Sequence, residues 1–191
     1  METSERRMAS GAWLWIQGTG LERFELLRTD TGWLLRGLIV AANDDEAAEA
    51  RYEVACDVSW CTERVAIDVR SAAGERSLAL TARDGRWHAE GPEIESVRGC
   101  LDVDLGWSPS TNTLPIRRLG LAVGATSGPV TAAWVRFPTL DLEPLPQEYR
   151  RVAEDRYVYA SRGGAFRAEL QVDADGLVID YEGGWRRVAE R

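Results

Sequence analysis

The feature that most limits what this chain can fold into is a period-two apolar pattern broken at short intervals by glycine turns. In Arg64 to Arg70, Val65, Ile67 and Val69 alternate with Ala66, Asp68 and Arg70. In Phe166 to Val172, Phe166, Ala168, Leu170 and Val172 alternate with Arg167, Glu169 and Gln171, and Leu177, Ile179 and Tyr181 repeat the scheme. Side chains alternate faces along a strand, so each segment has one buried and one wet face, the pattern of an antiparallel sheet. Asp30-Thr31-Gly32, Ala73-Gly74, Asp84-Gly85 and Asp175-Gly176 punctuate the pattern. Glycine there supplies the positive φ of a tight hairpin. Val130 to Phe137 is apolar on both faces and reads as a more central strand.

Helix signals are few. Residues 43–53, with Asn43 or Asp44 as a cap, read as a short helix or a loop. Residues 144–157 are a second, weakly periodic helix candidate. The expected fold is mainly β: a single strongly curved antiparallel sheet, an unclosed half-barrel of about ten strands with one to three short helices. A sandwich is the competitor. The length of 191 residues suits one domain, 1–191, with 1–10 expected to be flexible.

Charge narrows the partners. The net charge is −8, whereas a duplex-binding surface is basic, so no nucleic acid is expected. All 23 positive residues are arginine, which excludes a lysine Schiff base or a P-loop lysine. Cys56 and Cys61 are too far apart for a C-x-x-C motif, and with Cys100 and the sole His88 they do not make a zinc site. No metal or cofactor is expected, and the cysteines read as free thiols in a reducing compartment. The apolar run Ala12 to Ile16 has five residues. That is shorter than a secretory core of about seven to fifteen or a membrane span of about twenty. The resulting expectation is a cytoplasmic protein without membrane insertion.

Asp102 and Asp104 fall on one face of a strand, roughly 6.5–7 Å apart. That overlaps the carboxyl spacing of an inverting glycosidase, with Arg117 or Arg118 to hold an anionic group. The same arginines are equally suited to pair with Asp102, Asp104 or Asp57. His88 has no G-x-S-x-G elbow to serve. Pro109 and Pro115 exclude a long regular element over Trp107 to Arg118. Its Ser, Thr and Asn residues favour self-bonded turns, so it reads as a structured cover for one sheet end, or as a polar head-group site at a cavity mouth. Eight tryptophans run along the chain, suited to a core or to an apolar cavity.

Four blocks carry a resemblance: "CDVSW" (Cys56 to Trp60), "GCLDVDLGWSPSTNTLPIRRLGLAVG" (Gly99 to Gly124), "AAWVRFPTLDLEPLPQEY" (Ala132 to Tyr149) and "DGLVIDYEGGWRRV" (Asp175 to Val188). In this order they resemble the glycolipid-binding family of bacteria. The resemblance implies a curved sheet similar in fold to the lipoprotein localisation carriers, with a lipid or glycolipid held in its concavity, and it transfers no catalytic residue. The candidate ligand-binding residues are Trp60, Asp102, Asp104, Trp107, Asn112, Arg117, Arg118 and Trp134. The competing functions are a glycoside or ester hydrolase using Asp102 and Asp104, and an interaction protein with no small ligand.

Overall fold

The computed structural model describes residues 4–42 and 47–190. Among these, fourteen strands form one sheet. The first seven are a meander: β1 (Arg6–Trp15), β2 (Thr19–Arg28), β3 (Gly32–Ala42), β4 (Ala47–Asp57), β5 (Thr62–Ser71), β6 (Gly74–Arg83) and β7 (Arg86–His88). A 3-10 turn then leads to the far edge, where β8 (Asp102–Leu105) begins the return. The return is β9 (Val130–Arg136), β10 (Asp141–Ala153), β11 (Arg156–Ser161), β12 (Phe166–Val172), β13 (Val178–Tyr181) and β14 (Trp185–Glu190), which pairs with β1. The spatial order is therefore β7 to β1, then β14 down to β8. Every pairing is antiparallel except β8 with β9, which is parallel.

The sheet curls until its two edges approach without pairing. Side chains and loops make the seam. Trp87 Nε1 donates to the Cys100 carbonyl at 2.8 Å, and Thr62 N–H donates to Leu101 O at 2.9 Å. The result is the expected unclosed, strongly curved sheet, with fourteen strands where about ten were expected. The extra strands are short or hidden by composition: β7 has three residues and β13 four.

Both helix readings need correction. Ala47–Asp57 is a strand in full register with β3, because Ala48, Ala50, Tyr52, Val54 and Cys56 share one face. Asn43 and Asp44, the expected cap, lie outside the described residues. Residues 144–157 form most of β10, the turn, and the start of β11. Pro144 and Pro146 sit on the exposed face. Val130–Arg136 is not central but next to the edge. It is apolar on both faces because Ala133 and Val135 join the core of the first seven strands, while Ala132 lies beside Leu145. Residues 6–10, expected to be a flexible end, pair with β2.

The proline-interrupted segment is not a cover for a sheet end. It runs back along the concave side as a plug. A 3-10 turn (Ser110–Asn112) leads into the helix α1 (Thr113–Leu119). Pro115 fits because it lies in the first turn, where the backbone N–H has no helical acceptor. Gly120, at φ 53°, ends the helix. Leu114 enters the larger core cluster and Ile116 the smaller one with Tyr149, Tyr157 and Leu170. Arg118 clamps the helix to β8, donating from Nε and Nη2 to the two oxygens of Asp102 at 3.0 and 2.5 Å. Both side chains are largely removed from water.

A buried pair that loses one partner leaves an uncompensated charge. Asp102→Ala is expected to cost about 3–5 kcal/mol of unfolding free energy. Glu75→Ala, which removes the solvent-exposed pair with Arg70, is expected to cost less than about 1 kcal/mol. Urea denaturation measures both, and equal losses would contradict the clamp.

Candidate functional site

The plug divides the inner face of the sheet. Over the first strands the face is packed solid. Trp13 stacks on Phe24 at 3.7 Å, and Trp33 stacks on Trp60 at 4.3 Å. Leu35, Ile39, Val54, Ile67 and Leu80 fill the remainder. Over the return strands a pocket of about 330 Å³ stays open. Its walls come from an overhang. β10 pairs with β11 only from Gln147 onward, so β9 and residues 141–146 of β10 project past the end of β11. Trp134 and Leu145 line the overhang, Tyr159, Phe166, Tyr181 and Trp185 line the sheet, and Ser108, Pro109 and Asn112 of the plug close one side.

Gly106 permits this packing. A Cβ there would stand 2.9 Å from Trp134 Nε1 and 3.2 Å from Val135 O. The exposed members Gly106, Arg162, Phe166 and Gly183 mark the mouth.

Polar groups converge on the pocket. Asp104 accepts from Gln147 Nε2 at 2.5 Å, and Gln147 Nε2 also contacts the Tyr159 hydroxyl at 3.1 Å. Burial, opposed by the Gln147 bond and reinforced by the charge of Asp102, pushes Asp104 up to about 6. Asn112 Oδ1 accepts from the Tyr149 hydroxyl at 3.0 Å, and its Nδ2 donates to Pro109 O. The Arg162 guanidinium lies 5.1 Å from the Trp134 ring centroid, within cation–π range.

Of the eight residues singled out from sequence, Asp104, Asn112 and Trp134 meet in this pocket. The others do not. Asp102 and Arg118 are consumed by the clamp. Trp60 is buried under Arg117, whose guanidinium sits 5.3 Å from its ring and donates to Ala174 O. Trp107 stacks on Phe137 at 5.3 Å. Asp102 and Asp104 do share a face, but each faces a different partner. Asp57 instead closes its own turn, accepting from the N–H groups of Ser59 and Cys61. Cys56 and Cys100 are buried and Cys61 half-buried, and all three are free. Burial pushes the Cys100 thiol up to about 11.

The largest depression, about 970 Å³, lies on the outer face of β3 to β7. Leu34, Ala55, Ala66 and Ala79 floor it, and its charged members Glu5, Glu53, Glu63, Arg64 and Glu90 are exposed. It is a trough on a solvated sheet face rather than a site with converging buried polar groups.

Sequence reasoning passed over Glu22, which organises the plug. It stands in the inward phase of β2 with Phe24 and Leu26, so a charged residue in an apolar register was the available signal. Oε1 accepts from Tyr52 at 2.5 Å and from Ser108 at 2.8 Å, and Ser110 joins Tyr52 and Ser108 at 2.9 and 2.6 Å. Oε2 is buried without a partner. Tyr52 reaches across β3 because Gly37 lies beneath it, where a Cβ would come within 2.5 Å of the ring. Burial outweighs the hydrogen bonds and pushes Glu22 up to about 8, from an ordinary 4.5. The folded protein therefore holds a proton that the unfolded chain releases. That contribution is complete below the ordinary value and declines as pH rises towards 8. The melting temperature is expected to fall between pH 5 and about 8, and Glu22→Gln is expected to flatten the decline above pH 6. Identical profiles for the two proteins would contradict the assignment.

The family model described as "Putative glycolipid-binding" matches residues 11–187. Among solved structures, the crystal structure of a DUF1089 family protein from Pseudomonas aeruginosa shares 34% identity, covers 87% of this chain and 92% of that one, and gives a TM-score of 0.80. A β-barrel-like protein of the DUF1849 family from Brucella abortus gives a TM-score of 0.54 over 98% of this chain and 97% of that one, at 10% identity, a likeness of fold alone. No curated protein matches. The matched span runs from β1 through the plug to β14, and the chain belongs to the family described as "Putative glycolipid-binding".

Proposed function

We propose that this protein binds a glycolipid without catalysis and holds the sugar head in the pocket between the plug and strands β8 to β14. The carrying observation is the mixed lining: five aromatic side chains, Trp134, Tyr159, Phe166, Tyr181 and Trp185, beside Asp104, Asn112, Ser161 and Arg162. Aromatic faces suit the C–H faces of a sugar ring, and planar amide, carboxylate and guanidinium groups suit its hydroxyls. An acyl chain in the same place would strip the remaining water from the Asp104 carboxyl, only one of whose oxygens accepts from Gln147, and from the exposed Arg162 guanidinium, and offer them nothing. Burying polar groups without partners costs about 1–3 kcal/mol each. The volume is also at the low end of ligand pockets, roughly 300–1,000 Å³, which suits a head group better than paired lipid chains.

Calorimetric titration with an octyl glycoside below its micellar concentration tests the reading. Saturable binding is expected, with the glycoside recovered chemically unchanged. Trp134→Ala and Asp104→Asn are each expected to weaken it by about tenfold, the loss of one good stacking or hydrogen-bonding contact. Octanoate, or an octyl chain on an uncharged non-sugar head, is expected to compete poorly. Equal competition by sugar-free amphiphiles, or no saturable binding across a panel of glycosides, would overturn the proposal.

A further inference from the structure

The rim that carries the pocket mouth also carries an exposed apolar row on its outer side. Leu14, Ile16, Leu21 and Val40 are 43%, 41%, 48% and 50% exposed. Register makes them neighbours: Leu14 lies opposite Leu21, and Leu21 lies opposite Val40. The row joins the mouth directly, because Ile16 N–H donates to Gly184 O at 2.8 Å and Gly183 and Gly184 line the pocket. Phe166, 44% exposed, stands on the other side of the β13–β14 turn, 6.4 Å from Tyr181. Trp15, half-buried behind the row, stacks on Trp185 of the pocket wall at 5.9 Å.

Charge is absent from this stretch. Leu14 to Leu21 reads LWIQGTGL, eight residues without a charge in a chain that is 28% charged. At the ends of the row, Leu14 lies opposite Arg186, which is paired with Asp180, and Val40 lies opposite Glu49, which is paired with Arg51. Aliphatic side chains around an uncharged tip, with an amphipathic tryptophan behind them, are suited to the boundary between lipid head groups and acyl chains. A second copy of the chain fits less well. A stable protein interface removes about 800 Å² per partner, and four half-exposed aliphatic side chains provide only part of that.

We infer that this rim is a docking edge for the surface of a lipid bilayer, placing the pocket mouth where a glycolipid head projects from the membrane. The inference rests on the glycolipid reading above for its purpose, and on the apolar row for its geometry. The docking is shallow and driven by apolar contact rather than by charge. The chain has a net charge of −8, and Asp44, Asp45 and Glu46 follow β3 in the sequence. Anionic lipid therefore weakens binding.

The test is flotation of the full chain with phosphatidylcholine vesicles containing a monohexosyl diacylglycerol, beside calorimetry with the octyl glycoside. The wild type is expected to float. The double variant Leu21→Ser/Val40→Thr, which changes only outward side chains, is expected to float at least about fivefold less. It is expected to keep its melting temperature and its glycoside affinity. Replacing a third of the phosphatidylcholine by phosphatidylglycerol is expected to reduce flotation. Equal flotation of wild type and double variant overturns the docking edge, as does a wild type that binds the glycoside but not the vesicles. A light-scattering dimer that the double variant dissolves also overturns it, by assigning the row to a second copy. Vesicle binding that depends on Leu21 and Val40, in a protein that does not bind the glycoside, supports the docking edge and removes the pocket reading.

Discussion

The arrangement depends on one constraint: a run of seven residues, Trp107 to Thr113, rich in hydroxyl and amide groups, lies against an apolar sheet. Ser108, Ser110, Thr111, Asn112 and Thr113 are all buried, and each must find a partner or cost about 1–3 kcal/mol. The partners come from widely separated strands. Glu22 on β2 and Tyr52 on β4 take the serines, Tyr149 on β10 takes Asn112, and the Gly176 carbonyl takes the Thr113 hydroxyl at 3.1 Å. Thr111 Oγ1 receives the N–H of Leu105 at 3.1 Å. These bonds fix the segment to both halves of the sheet at once. They also decide how much of the concavity remains.

A curved sheet of fourteen strands without the plug would expose a long apolar trough. With it, the trough becomes a solid core on one side and a small mixed-polarity pocket on the other. The same helix that closes the core through Leu114 turns Arg118 onto Asp102, so one of the two carboxylates that read as an acid–base pair in the sequence is spent on position. The pocket owes its shape to three secondary choices: a glycine at 106 under Trp134, the overhang of β9 and β10, and the turn at Gly183 and Gly184. Buried carboxyl groups at Glu22 and Asp104 are held high by desolvation, for structural reasons at Glu22 and at the pocket wall for Asp104.

Much of the fold was legible in the sequence. The alternation in β5 and β12 and the turns at Asp84-Gly85 and Asp175-Gly176 are local signals, and local signals survive folding: Asp84 and Gly85 take φ 51° and 74°. The strand over 47–57 was obscured by alanine and glutamate, which favour helix in isolation but here alternate across a central strand. β9 misled in the opposite direction, because two-sided burial came from its position at the curled edge rather than the centre. The site was partly legible. Asp104, Asn112 and Trp134, named from the sequence, line one pocket, but the partition between Asp102 and Asp104 depends on a helix sixteen residues away that only the tertiary fold places. Gln147, Tyr159 and Tyr181 carry no local signal, since in sequence they are ordinary inward strand residues.

The central claim is that the space left by the plug receives a sugar. A crystal structure of the protein grown with an octyl glycoside tests it most directly. The account predicts sugar density within the pocket, one ring face against Trp134 or Tyr181 and hydroxyls within hydrogen-bond distance of Asp104 or Asn112, with the octyl chain leaving past Phe166. Density only in the outer trough over Ala55, Ala66 and Ala79, or an alkyl chain buried against Asp104 with the sugar in solvent, would contradict it.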